Sequence, residues 1–175
     1  MMNITLLYPR RDKNTFILLW IMDKEKAISV TIVKATDRDR EFFRKVHHES
    51  YRESIEAIFG WDEEIQYRFA DADFDTRNIH IILWDERPCG VVGWRDNMEE
   101  TELGPLYLLA QYQGQGIGTK IVQGFIEGAS ERKALLKLKP LRSNLRARRL
   151  YERLGFNVTS GTDQYWFMEH RPISQ

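Results

Sequence analysis

The chain has 175 residues, 42% of them hydrophobic, a size and composition that bury one core and predict a single globular domain. Its 26 basic and 26 acidic residues cancel to a formal charge of zero, so no global field draws it to a nucleic acid backbone or an anionic membrane. The lone Cys89 excludes an internal disulfide and does not combine with His47, His48, His80 or His170 at a metal-ligand spacing, so a reducing, cytoplasmic setting without a metal is expected.

At the start, Ile4 to Tyr8 and Phe16 to Met22, separated by a polar turn over Arg10 to Asn14, predict an extra hairpin. The apolar run Phe16 to Met22 is far shorter than the roughly 20 residues of a membrane helix. Arg10, Arg11 and Lys13 give it a superficial likeness to a signal peptide, but no small-residue cleavage site follows before Asp23-Lys24-Glu25-Lys26. The alternative is a leader with its natural start at Met22. Residues 1–27 are therefore read as an extension or leader, and 28–175 as the domain.

Ile28 to Val33 alternates and is rich in β-branched residues, predicting a strand that ends at a turn near Thr36 and Asp37. From Asp39 to Phe59 the residues Phe43, Val46, His47, Tyr51, Ile55 and Ile58 recur at helical spacing, with Gly60 as the stop. A short second helix is expected from Asp62 to about Phe69. Asn78 to Trp84 and Cys89 to Trp94 read as strands joined by Asp85-Glu86-Arg87-Pro88, and a third strand runs from Thr101 to Leu109. Gly116 to Ser130 carries Ile117, Ile121, Val122, Phe125, Ile126 and Ala129 on one helical face. Ala134 to Leu138 is a further strand, Ser143 caps a helix with Ala147, Leu150, Tyr151 and Leu154 on one face, and Phe156 to Thr159 and Tyr165 to Glu169 close the sheet. This order predicts a mixed α/β sheet.

The chemistry concentrates in Gln113-Gly114-Gln115-Gly116-Ile117-Gly118-Thr119-Lys120, which follows the strand Leu106-Tyr107-Leu108-Leu109 and opens a helix. Glycines at alternate positions let backbone N–H groups converge on an anion at a helix start. A dinucleotide fingerprint needs two residues between its second and third glycines, where Gly116 and Gly118 have one, and a nucleoside-triphosphate loop ends Gly-Lys-Ser/Thr, where Gly118-Thr119-Lys120 has the reverse order.

Gln113-x-x-Gly116-x-Gly118 directly after a strand resembles the acyl-CoA-binding motif of the GNAT superfamily of acetyltransferases. Asn144-x-x-Ala147-x-x-x-Tyr151-x-x-x-Gly155-Phe156 is similar to that family's second segment, and the two together cover about Glu102 to Phe156. The resemblance implies a mixed central sheet with helices on both faces and splayed central strands. It also implies acetyl-CoA as donor, its pyrophosphate held by Gln113, Gly114, Gln115, Gly116, Ile117, Gly118 and Thr119. Pantetheine would lie along the backbones of Leu106 and Leu108, beside a strand splayed from Ala134 to Leu138, with Gly104-Pro105 marking the break. Asn144 becomes a cofactor contact and Tyr151, seven residues on, the general acid near the sulfur. Glu102 is the expected base. In a regular strand it shares a face with Leu106 and Leu108, a register that a bulge at Gly104-Pro105 would shift. Glu99 and Glu100 are alternatives.

Family logic places the acceptor near the first two helices, where Tyr51, Trp61 and Gln66 are candidate pocket residues and Asp62, Glu63 and Glu64 either attract a cationic amine or simply complement the helix dipole. Arg148 or Arg149 could reach the phosphates, although Arg142, Arg146, Arg148, Arg149 and Arg153 together also describe a solvated helix face. Cys89 reads as a strand residue, so direct transfer is favoured over an acyl-enzyme. The reading is thus an N-acetyltransferase acting on a small-molecule or peptide amine, with a homodimer left open. The alternative is a non-catalytic CoA-binding regulatory module.

Overall fold

A computed structural model describes residues 6–7, 15–23, 26–97 and 99–172. The expected turn over Arg10 to Asn14, with Ile4, Thr5 and Tyr8, lies outside them, as does the side chain of Ile58. In chain order the elements are β1 (Leu6–Leu7), β2 (Thr15–Asp23), β3 (Lys26–Lys34), α1 (Arg40–Phe59), α2 (Glu63–Thr76), β4 (Asn78–Trp84), β5 (Arg87–Asp96), β6 (Glu100–Leu108), α3 (Ile117–Glu131), β7 (Leu135–Leu138), α4 (Leu145–Arg153), β8 (Asn157–Gly161) and β9 (Trp166–His170). They form one mixed sheet in the order β1-β2-β3-β4-β5-β6-β7-β9-β8. Every pairing is antiparallel except β6 with β7.

The sheet separates two apolar layers. On one face Val92, Trp94, Leu103, Ile121, Leu136 and Phe156 pack with α3 and α4. On the other, Phe43, Val46, Ala70, Ile81, Val91 and Tyr107 pack under α1 and α2. The helical faces of α1 and α3 thus supply opposite layers, which is why the amphipathic periodicity was so visible in both.

Three local expectations are corrected. α2 continues to Thr76, well beyond Phe69, because α1 holds its far end: Arg44 forms a fork on Asp71 at 2.9 and 2.7 Å, and Arg40 donates to Asp75 at 2.7 Å. The cap of α4 is Asn144 rather than Ser143, its side-chain oxygen accepting from the Ala147 N–H at 2.9 Å. The β4–β5 turn is tighter than the four residues expected. Trp84 pairs with Arg87, leaving Asp85 and Glu86 as a two-residue turn with φ of 45° and 64°.

Two irregularities of β6 shape the centre of the molecule. It pairs with β7 only at Glu100, Thr101 and Glu102, so the parallel neighbours part company beyond that point. Against β5, Val92 faces Leu106 but Trp94 faces Leu103, so β6 carries one extra residue at Gly104-Pro105. Proline has no ladder donor and glycine no Cβ, which makes this the cheapest place for a bulge.

Candidate active site

The bulge reverses one expectation. Leu103, Leu106 and Leu108 pack with the α3 layer, whereas Glu102 pairs with Arg95 and points to the α2 side with Tyr107. Glu102 therefore does not share a face with Leu106 and Leu108. The extra residue flips side-chain parity, as a slip by one always does. Its carboxylate instead accepts from Arg77 Nη2 at 3.2 Å, and Arg77 Nε donates to Asp73 Oδ1 at 2.9 Å.

Beyond Glu102 the β7-facing edge of β6 is open. The Leu109 N–H bonds the Cys89 carbonyl at 2.9 Å, so odd residues here turn their backbone groups to β5 and the even ones, Leu106 and Leu108, turn theirs outward. One of those groups is claimed: the Leu108 carbonyl accepts from Gln113 Nε2 at 2.9 Å. This bond ties the loop back onto the strand end.

In the loop, Gly114 and Gly116 have φ of 77° and 80°, left-handed values that only glycine adopts without strain. Gly116 is the N-cap of α3, and the Lys120 N–H closes the first turn onto its carbonyl at 3.1 Å. The N–H groups of Ile117, Gly118 and Thr119 before it are the donors a helix start offers to an anion. Ile117 is buried in the core, so its backbone is what it can offer a ligand. Gln115 turns back to donate to the Gln111 carbonyl at 2.7 Å. Arg146 completes the cradle from α4, its Nη1 donating to Gln113 Oε1 at 3.3 Å and its Nη2 lying 3.5 Å from where a Cβ on Gly114 would sit. Arg148 lies 4.3 Å over the Trp166 ring and donates to Glu152 at 2.8 Å.

Residues from both layers meet where the strands separate. Tyr151 from α4 is half-buried against Phe156, ring centroids 5.7 Å apart. Its phenol is pushed well above the ordinary range by burial, with a further push from Tyr51 on α1. Tyr51 packs on Tyr107 at 5.1 Å and stacks on His47 at 5.2 Å. Burial raises the Tyr51, Tyr107 and Tyr165 phenols as well, and the Asp73 carboxylate adds to all three. Four neutral phenols therefore accompany two carboxylates and one guanidinium. Asn144 spends its side-chain oxygen on the cap, which leaves its NH2 as the group able to donate to a ligand.

The three candidate acceptor residues have different surroundings. Tyr51 faces Tyr107 at the strand gap, and Gln66 is buried. Trp61 joins an outer cluster, donating to Glu63 Oε2 at 2.6 Å beside His48 and Arg52. That cluster borders a surface cleft of about 290 Å³ on the outer side of α1, lined by Arg44, Lys45, His48, Arg52, Glu63 and Tyr67. Glu63 Oε1 lies 3.3 Å from His48 Nε2 within it. Cys89 is fully buried, and burial pushes its thiol up to about 12, which removes it as a nucleophile at neutral pH.

Sequence reasoning missed Asp73, Arg77, Arg146 and Tyr165. The i,i+4 spacing of Asp73 and Arg77 was a usable signal once the helix is known to reach them. Nothing in the sequence separates Arg146 from the four arginines around it.

The Acetyltransferase (GNAT) family model matches residues 36–156. No curated protein matches the chain. Among solved structures, the PaiA N-acetyltransferase of Thermoplasma acidophilum in complex with coenzyme A superposes with a TM-score of 0.67 at 19% identity, over 82% of this chain and 99% of that one. The ribosomal-protein-S18-alanine N-acetyltransferase of Escherichia coli gives 0.62 at 20% identity, over 83% and 96%. YncA of Salmonella typhimurium, solved with its cofactor acetyl-CoA, gives 0.56 at 17%, over 83% and 95%. Identities this low speak for the shared fold.

Proposed function

The chain belongs to the GNAT acetyltransferase family, and from that premise we propose that it transfers an acetyl group from acetyl-CoA to a primary amine by direct attack. The observation that supports this reading most is the parting of β6 from β7 after Glu102, which lets Tyr151 from one layer and Tyr51 from the other approach the same opening. The loop, the open strand edge and Arg146 fit coenzyme A. The N–H groups of Ile117, Gly118 and Thr119, the dipole of α3 and the Arg146 guanidinium suit a pyrophosphate. The outward groups of Leu106 and the N–H of Leu108 suit the pantetheine amides, while Asn144 has its NH2 to contribute.

When bound, acetyl-CoA supplies an activated thioester carbonyl. The chain's own residues manage the protons. Glu102 accepts one from the incoming ammonium, directly or through water, and so leaves the nitrogen lone pair free to form the C–N bond. Tyr151, held protonated by burial, gives its phenolic proton to the sulfur as the C–S bond breaks and the electron pair leaves with sulfur. As the adduct collapses the nitrogen sheds its second proton to solvent, and the proton held by Glu102 restores the Tyr151 phenol through solvent, closing the cycle with one amide, one thiol and one proton released per ammonium consumed. Tyr51 and Asp73 are read as the wall that receives the amine, an aromatic face beside a carboxylate suiting a cation.

The test is transfer of label from acetyl-CoA across a panel of small-molecule and peptide amines, with the Tyr151→Phe and Glu102→Gln variants run on whatever the wild type accepts. Losses of about a hundredfold or more in kcat are expected for each. Wild-type turnover in both variants would remove the acid and base assignments, and coenzyme A binding without transfer to any amine would return the chain to a non-catalytic module.

A further inference from the structure

On the reading of Glu102 as the proton acceptor, we propose that Arg77 is a positioning residue, seated by Gly104, that fixes the Glu102 carboxylate on the acceptor side of β6. Arg77 is the C-cap of α2, anchored by its backbone N–H on the Asp73 carbonyl at 3.0 Å. Its side chain is 6% exposed and so held by packing, and it forms two ion pairs with carboxylates that are one-third exposed, Asp73 at 2.9 Å and Glu102 at 3.2 Å. The third guanidinium nitrogen, Nη1, is buried with no hydrogen-bond partner. The other two donor nitrogens, Nε and Nη2, fork between the Asp73 and Glu102 carboxylates, which fixes the direction of the bond to Glu102.

Gly104 supplies the seat. A Cβ there would come within 2.6 Å of Arg77 Nη1 and 3.0 Å of both Cδ and Cζ. The glycine is needed for room rather than for its backbone, which is not left-handed. The same dipeptide, Gly104-Pro105, makes the bulge that turns Glu102 toward α2. One short irregularity thus both aims the carboxylate and clears space for the guanidinium that holds it. Glu102 is one-third exposed and has several rotatable bonds, so without Arg77 its carboxylate would sample many positions. Arg77 itself is closed off from a substrate, so its effect on the reaction runs through Glu102.

The experiment is a double-mutant cycle. Arg77→Met and Gly104→Ala are each made in the wild type and in Glu102→Gln, and kcat, KM, coenzyme A affinity by calorimetry and thermal melting are measured on an amine the wild type accepts. Arg77→Met is expected to lower kcat by about tenfold to a hundredfold, the usual cost of a misplaced reacting group, with coenzyme A affinity unchanged. In the Glu102→Gln background the same change should alter kcat by less than about twofold, because the residue it positions is already gone. Gly104→Ala keeps Arg77 and its charge, so it carries the test if Arg77→Met does not fold; its loss of kcat should likewise vanish in Glu102→Gln. Arg77→Lys, which keeps the charge but not the planar fork, should recover part of the loss. Wild-type kcat in Arg77→Met, or an equal fall in both backgrounds, would overturn the proposal in favour of a plain structural tie. Failure of the base assignment would appear separately, as undiminished turnover in Glu102→Gln alone.

Discussion

Acidification should destabilise this protein through His47, by an amount the structure allows to be worked out. The ring is 4% exposed, stacked on Tyr51 at 5.2 Å and 6.3 Å from Phe43. Burial, reinforced by neighbouring His48 and only partly opposed by Asp73, lowers its pKa from 6.5 to about 4. The folded state thus prefers the neutral ring, and between the two values the unfolded chain binds the proton first. Stability is intact above pH 6.5 and falls as the pH drops toward 4, by about 3 kcal/mol at the limit and about 2 kcal/mol near pH 5. His80, lowered to about 4 chiefly by burial and also by Lys34, against the pull of its bond to the Asn78 carbonyl, adds a loss of the same sign. His47→Phe keeps an aromatic ring in the stack and removes both titrating nitrogens, of which the buried Nδ1 has no hydrogen-bond partner among the described residues. Melting curves of wild type and variant at about pH 7.5 and about pH 5 isolate the titration, since any packing cost of the substitution is common to both. The variant should gain about 2 kcal/mol on the wild type between the two conditions, roughly 4–8 °C for a chain of this size. An offset that is the same at both pH values would refute the neutral, buried imidazole.

Gly116→Ala forces a side chain into φ of 80°, which costs about 1 kcal/mol, and should weaken coenzyme A binding at least about tenfold in calorimetry because the strain falls on the cap of α3 itself. Asn144→Ala removes the α4 cap and should lower stability by about 1 kcal/mol, read from denaturant unfolding, with Asn144→Asp retaining most of it. Arg146→Ala removes both a cation and the brace on Gln113, so KM for acetyl-CoA should rise several-fold with kcat little changed; an unaltered KM would detach Arg146 from the cradle. Cys89, buried with its thiol pushed up to about 12, should resist iodoacetamide near pH 8 while the protein stays folded, with full activity afterwards; rapid labelling with loss of activity would reopen a thiol mechanism.

Legibility followed the range of the forces involved. The bounds of β4 were readable to the residue because its apolar run is local and ends at turn-formers. The far half of α2 was not: Asp71, Asp73, Asp75 and Thr76 are weak helix formers, and the arginines that hold two of those aspartates lie a helix away on α1. Ser143 and Asn144 are adjacent and equally able to cap, so only the observed bond decides between them. Tyr51 and Trp61 carry no periodicity that tells their surroundings apart; packing sets Tyr51 against Tyr107 and Trp61 against His48 and Glu63.

By itself the sequence determined the family, the glycine cradle and the helix that bears Tyr151, since glycine spacing, capping and helical periodicity act within a few residues of one another. Only the tertiary structure decided which way Glu102 points and what holds it. The bulge at Gly104-Pro105 has no defined effect on facing until β6 pairs with β5, and Arg77 reaches the carboxylate only after α2 packs against that strand.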